Sequence, residues 1–165
     1  MTMTDPDTDR IAIVRRRLNV AARFVFAAHA KGEHIMRWFG PVGYPVTQCD
    51  YDFRVDGNWR MIMTGPDGLN GPPFGGRFLT IQPDRQIVYT NAFEDGGAAM
   101  GMADRGPMIM DWRFDPAGKA TDVTLTITFQ SPAMKTDYLA VGMLEGIASG
   151  LDQYEPVAQE LAAAG

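Results

Sequence analysis

The strongest constraint on the fold is a run of alternating apolar and polar residues over positions 46–129, with helical segments on both sides. Alternation with a period of two predicts strands that bury one face and expose the other. Turn signals divide the run into about six strands, and Asp56-Gly57 is the strongest because this dipeptide is typical of a tight β-hairpin. Strands in one run with helices at its ends predict an α+β domain with an antiparallel sheet.

The predicted elements follow one another in a simple order. A first strand covers residues 11–18, and two short helices follow at 20–30, capped by Asn19, and at 33–39. The later strands are expected at 46–55, 58–64, 75–82, 85–93, 107–114 and 121–129. A long C-terminal helix begins at Ser131-Pro132 and is expected to end or kink near Pro156. We therefore predict a curved seven-stranded antiparallel sheet wrapped around that helix.

The chain of 165 residues is long enough to bury one core. We predict a flexible tail over residues 1–9 and a single domain over residues 10–165. The tail is acidic and polar, unlike a signal peptide, and no window is long and apolar enough to span a membrane. One cysteine, Cys49, is typical of a cytoplasmic protein, in which thiols stay reduced.

The net charge of −5 argues against a nucleic acid as partner. The basic run Arg15-Arg16-Arg17 lies in the first strand, where neighbouring side chains point to opposite faces. No catalytic residue, metal site or cofactor is predicted, because His29 and His34 do not have the spacing of two ligands on one helix face and no nucleotide motif is present. Whether the chain is an enzyme is left open, with a non-enzyme favoured, and the oligomeric state is not predicted.

Large and adaptable apolar side chains recur on one face of several predicted strands. Methionine fits apolar partners of varied shape, so this face suits either a plain core or the wall of a cavity for a small hydrophobic molecule. The candidate ligand-binding residues are Trp38, Trp59, Met61, Met63, Phe78, Tyr89, Met108, Met110, Trp112, Met143 and Ile147.

A candidate polar site depends on the register of the hairpin around Asp56-Gly57. A two-residue turn places Asp52 and Arg54 on the face of the hollow between sheet and helix. A bulged turn shifts the pairing and places Tyr51 and Phe53 inside instead. Asp52 and Arg54 are therefore either polar residues of the cavity or a structural ion pair, and the sequence leaves both alternatives open.

Three glycines recur every four residues along the predicted C-terminal helix, at Gly142, Gly146 and Gly150. A glycine inside a helix costs about 1 kcal/mol relative to alanine, so the repeat requires a reason. Close contact between helix and sheet is one explanation, and space for a ligand is the other.

Residues 94–106 form a loop rich in glycine and alanine, in which Met100 and Met102 are the large apolar side chains. A loop of this composition is easily disordered, and its methionines can fold over an apolar ligand. We consider both an ordinary hairpin loop and a mobile flap over one cavity entrance.

Six short segments lie in order within residues 11–161: RLN at 17–19, VF at 25–26, RWFGP at 37–41, DFRVDGNWR at 52–60, GPDG at 65–68 and GMLEG at 142–146. Together they resemble the START-like or SRPBCC superfamily and, within it, the domains related to the activator of the 90-kDa heat-shock-protein ATPase. The chain departs from the family pattern at Asp56, where a glycine is usual, and at Ala21, where a proline is usual.

The resemblance implies the helix-grip fold. It implies function less directly, because such domains include lipid and polyketide binders, cyclases and chaperone partners. A protein that binds a small hydrophobic molecule between sheet and C-terminal helix is our first hypothesis. A chaperone-interacting module, as in a stress response, is the alternative, and a cyclase- or dehydratase-like enzyme that uses the same cavity is the third.

Overall fold

Seven strands form one antiparallel sheet in the computed structural model, which describes residues 8–165. Along the chain they are β1 Ile11–Leu18, β2 Val46–Tyr51, β3 Asn58–Met63, β4 Phe74–Gln82, β5 Gln86–Phe93, β6 Met108–Ala117 and β7 Ala120–Thr128. Across the sheet their order is β1-β7-β6-β5-β4-β3-β2. The two edge strands, β1 and β2, are consecutive in sequence, so the chain between them crosses from one edge to the other.

Two helices, α1 Ala22–Ala30 and α2 Gly32–Ile35, lie within that crossing, and α3 Pro132–Ala140 and α4 Met143–Ala164 follow the last strand. Helix α1 packs against β6, β7 and α4. The predicted α+β class and helix-grip architecture are confirmed. No helix within residues 8–165 has the length and apolarity needed to cross a membrane. The predicted tail lies outside the described residues, apart from the 3-10 turn that begins the described chain, Thr8–Arg10.

The predicted cap of α1 at Asn19 is wrong. The helix begins after Ala21, whose backbone is extended and which makes no side-chain cap. The backbone N–H of Asn19 instead donates to a carboxylate oxygen of Glu155 in α4, at 3.3 Å. Helix α1 forms because its apolar face, including the fully buried Val25, packs into the core.

The predicted single C-terminal helix is two helices. Ser131 caps α3 as expected, since its hydroxyl accepts a hydrogen bond from the Met134 N–H at 3.1 Å. The helix then stops before Gly142, whose φ of +89° lies in the left-handed region that glycine adopts readily. Gly142 therefore separates α3 from α4.

Pro156 does not end the last helix, which continues unbroken from Met143 to Ala164. A proline removes one backbone hydrogen bond from a helix interior, and burial of the flanking residues compensates for that loss. Tyr154, Val157 and Ala158 are all buried against the core. The prediction of a helix end near Tyr154 rested on local propensity, which tertiary packing overrides here.

Candidate functional site

A cavity of about 280 Å³ lies between the concave face of the sheet and helices α3 and α4. Seven of the predicted ligand-binding residues line it: Trp38, Met63, Met108, Met110, Trp112, Met143 and Ile147. Met108, Met110 and Trp112 alternate along β6 with exposed or half-exposed residues, so strand parity correctly placed them on the inner face.

Four predicted residues face the interior away from the cavity wall: Trp59, Met61, Phe78 and Tyr89. Other aromatic side chains fill the hollow at this end of the sheet. The rings of Tyr51 and Phe53 cover Phe78, with centroids at 5.2 and 5.1 Å, and His29 lies 6.1 Å from Tyr89. Parity predicts that a side chain points inward, but not whether another element covers it.

The β2–β3 hairpin adopts the register that places Tyr51 and Phe53 inside. Tyr51 pairs with Trp59, so the connection is longer than a two-residue turn. Asp52 and Arg54 consequently face solvent, with side chains 50% and 76% exposed, and form an ion pair at 2.8 Å. They do not line the cavity, so the candidate polar site at these two residues is wrong and the structural ion pair is observed.

Several residues of the cavity wall were not predicted from the sequence. Asn91 and Phe93 continue the inward face of β5 beyond Tyr89, so extending its alternation by four residues identifies both. Phe74 opens β4 directly after two prolines, and Tyr138 comes from α3. Their positions follow from the packing of separate elements and had no comparable local signal.

The cavity wall is almost entirely apolar. Both indole N–H groups that border it are already bonded: Trp38 Nε1 donates to the Ala28 carbonyl and Trp112 Nε1 to the Tyr89 hydroxyl, each at 2.9 Å. The rings therefore present apolar surface. Among the described residues that line the cavity, Asn91 and Tyr138 carry the polar side chains without a hydrogen-bond partner in residues 8–165.

Behind the two tryptophans lies a buried aromatic cluster centred on His29. The imidazole centroid is 5.1 Å from Trp38 and 5.0 Å from Trp112. The Tyr154 hydroxyl donates to the Val25 carbonyl at 2.6 Å and lies 3.3 Å from His29 Nδ1. Full burial lowers the pKa of His29 to about 3, so the imidazole is neutral. This cluster supports the cavity wall from behind.

The three glycines of the C-terminal segment differ in their surroundings. At Gly150 a Cβ atom would lie 3.2 Å from the Trp38 carbonyl oxygen, which indicates close contact between α4 and the segment after α2. Gly142 separates two helices. At Gly146 the nearest atoms to an added Cβ would belong to the Pro41 ring, at 3.9 Å, so no close approach requires a glycine there.

The loop over residues 94–106 contributes one residue, Met100, to the cavity wall. Met100 is nevertheless 41% exposed. The carboxylate of Asp95 accepts hydrogen bonds from the N–H groups of Gly97 and Ala99 at 2.8 and 3.0 Å. These bonds lower the pKa of Asp95, which is therefore ionised at neutral pH.

A model of the family described as Activator of Hsp90 ATPase homolog 1-like protein matches residues 19–155. Among solved structures, a Nitrosomonas europaea protein aligns with a TM-score of 0.80 and 20% identity, over 95% of this chain and 99% of that one. An Arthrobacter aurescens protein aligns at 0.82 and 22%, over 96% and 91%. The AHSA1 protein of Silicibacter pomeroyi aligns at 0.72 and 22%, over 94% and 99%. No curated protein matches the chain.

Proposed function

Because the chain belongs to the Activator of Hsp90 ATPase homolog 1-like family, within the START-like fold, we propose that it binds one small apolar molecule in the cavity between the sheet and α4. Family membership does not specify the activity, since one fold carries many functions. The proposal is therefore argued from the cavity itself.

The observation that carries the proposal is the glycine at position 146. It lies inside α4, where glycine costs about 1 kcal/mol relative to alanine. Neither backbone conformation nor close packing requires it, since an added Cβ would meet nothing closer than 3.9 Å. A larger side chain at Gly146 would enter the cavity, so this glycine keeps the cavity open.

The size and lining of the cavity agree with this role. An apolar cavity of about 150 Å³ accommodates a benzene molecule. The volume of about 280 Å³ therefore suits an apolar molecule with two fused rings. Trp38 and Trp112 offer aromatic surface, and Met108, Met110 and Met143 offer adaptable side chains that can close around it.

Filling the cavity tests the proposal. We expect Gly146→Leu to weaken naphthalene binding at least tenfold, measured by saturation-transfer NMR, because the leucine side chain occupies the ligand's space. The melting temperature should not fall, since leucine has a higher helix propensity than glycine. Ala163→Leu is the matched control, because it adds the same side chain to an exposed position of α4. Equal naphthalene affinity in Gly146→Leu and the wild type would contradict the proposal, as would failure of naphthalene to bind the wild type.

The loop over residues 94–106 is proposed to act as a flap over the ligand. Because Met100 lines the cavity and is partly exposed, a ligand would give its side chain a new apolar contact. We expect the amides of residues 96–102 to exchange at least fivefold more slowly with saturating naphthalene than in the free protein. Hydrogen exchange read by mass spectrometry measures this, and unchanged exchange at full occupancy would exclude the flap.

Two other functions rank lower. Activation of a chaperone ATPase is supported by the family description, and co-purification with the chaperone would test it. Acid–base catalysis has less support, because no carboxylate, histidine or lysine lines the cavity in the described chain. Burial raises the pKa of Tyr138, with Asp104 and Asp95 as further causes, so its phenol stays protonated at neutral pH.

A further inference from the structure

The cavity offers no counter-ion for a charged ligand. No arginine, lysine or histidine lines it within residues 8–165. Two arginines whose partners adjoin lining residues are already paired: Arg60 with Glu94, which follows Phe93, and Arg105 with Asp137, which precedes Tyr138, at 3.2 Å. A carboxylate transferred from water into such a site loses its hydration without gaining a partner, which is strongly unfavourable.

Acidic side chains lie near Tyr138 in the cavity wall. The charges of Asp95 and Asp104 act on the Tyr138 phenol. Asp95 remains ionised because backbone N–H groups stabilise its carboxylate. The resulting negative potential opposes an anionic ligand. The missing counter-ion and these carboxylates thus disfavour an anion independently of each other.

Two polar side chains of the wall, those of Asn91 and Tyr138, both neighbour Phe93. Asn91 and Phe93 lie two residues apart on the inner face of β5. Tyr138 of α3 stacks on Phe93, with ring centroids 6.2 Å apart and an angle of 6° between the planes. Neither polar side chain has a hydrogen-bond partner in the described part of the chain. A phenol can donate a hydrogen bond and a carboxamide can donate and accept, so the pair suits one hydroxyl or carbonyl group.

We propose that the cavity selects an uncharged, flat, apolar molecule that carries one hydroxyl or carbonyl group, held by Asn91 and Tyr138. This inference rests on the proposed function and names the chemical class of its ligand. The ring system of the ligand lies against the tryptophans and methionines of the wall, and its polar group lies toward the 94–106 loop.

Three probes of similar size test the inference at neutral pH: naphthalene, 2-naphthol and 2-naphthoate. One additional hydrogen bond should make 2-naphthol bind about threefold to tenfold more tightly than naphthalene. We expect 2-naphthoate to bind at least tenfold more weakly than 2-naphthol, because its carboxylate has no cationic partner. Calorimetry or ligand-observed NMR measures the three affinities.

Variants identify the groups responsible. Tyr138→Phe and Asn91→Leu should each reduce the ratio of 2-naphthol affinity to naphthalene affinity, because each removes a side chain that can hydrogen-bond to the naphthol hydroxyl. Tyr44→Phe, at an exposed tyrosine outside the cavity wall, is the matched control and should keep the full preference. Suppose that the wild type binds naphthalene and that Gly146→Leu weakens this binding, but that the wild type binds 2-naphthoate as tightly as 2-naphthol. The inferred ligand class is then wrong and the proposed function stands. If both variants keep the wild-type preference, Asn91 and Tyr138 do not hold the ligand.

Discussion

Lowering the pH from 8 to 5 should reduce the free energy of unfolding by about 2 kcal/mol through His29 alone. Burial lowers the pKa of this imidazole from 6.5 to about 3 in the folded protein. Below pH 6.5 the unfolded chain therefore binds a proton at His29 that the folded chain does not bind. As the pH is lowered from about 6.5 to about 3, the free energy of unfolding decreases throughout. Above pH 6.5, His29 no longer contributes to the pH dependence.

The surroundings of His29 explain why it resists protonation. Since the Tyr154 hydroxyl donates to Val25, His29 Nδ1 carries the proton and donates to the Tyr154 oxygen. His29 Nε2 has no partner in the described residues, so a proton there would be buried without an acceptor. The titratable side chains packed around it, Tyr89 and Tyr154, also have raised pKa values because they are buried, and they remain neutral over this range.

Urea unfolding at pH 8 and pH 5 measures the effect. The wild type should lose about 2 kcal/mol more than His29→Phe, which keeps a ring in place but cannot titrate. His34→Gln, at a partly exposed histidine, should behave as the wild type. Should His29→Phe not fold, an NMR titration of the wild-type imidazole gives the same answer. Equal pH dependence in His29→Phe, or protonation of His29 above pH 5, would contradict the prediction.

Gly76→Ala should lower the free energy of unfolding by at least about 3 kcal/mol, because overpacking and the loss of a partly buried hydrogen bond act together. A Cβ atom at Gly76 would lie 1.9 Å from the Thr90 carbonyl oxygen in the next strand. The indole N–H of Trp59 donates to that same oxygen at 3.1 Å and so bridges from β3 to β5 across β4. Moving β5 away to accommodate the methyl group would disrupt this hydrogen bond as well as the local strand pairing.

The control for this substitution is Gly71→Ala. A Cβ atom there would meet nothing closer than the Met63 carbonyl oxygen at 3.5 Å, an ordinary van der Waals contact. Its stability should stay within about 0.5 kcal/mol of the wild type, as is usual for surface changes. Denaturant unfolding of both variants measures the difference. A loss of less than 1 kcal/mol in Gly76→Ala would show that the strands separate easily at this point.

Strand identity was predictable because it depends on a local pattern. In β7, Val123, Leu125 and Ile127 alternate with threonines, and all three apolar residues are buried. The same parity placed Met108 and Trp112 on the inner face of β6. The family resemblance then supplied the helix-grip architecture, in which an inner sheet face meets a C-terminal helix.

The hairpin register could not be obtained in this way, because a third strand determines it. The backbone N–H of Asp56 donates to the Phe78 carbonyl at 2.9 Å, and the N–H of Phe78 donates to the Gly57 carbonyl at 3.0 Å. These bonds attach the connection after β2 to β4. Asp56-Gly57 therefore does not act as an isolated two-residue turn, and Asp52 remains at the surface.

By itself the sequence determined the α+β class, the order of the strands along the chain and the inward face of strands such as β6 and β7, because alternation and turn residues act over a few neighbouring positions. Tertiary structure alone decided which inward residues border the cavity. Asn91 and Tyr138 are 47 positions apart in the chain, and both border the cavity because Tyr138 of α3 stacks on Phe93 of β5. His29 is neutral for the same kind of reason: its pKa depends on the rings that surround it, and those come from distant elements.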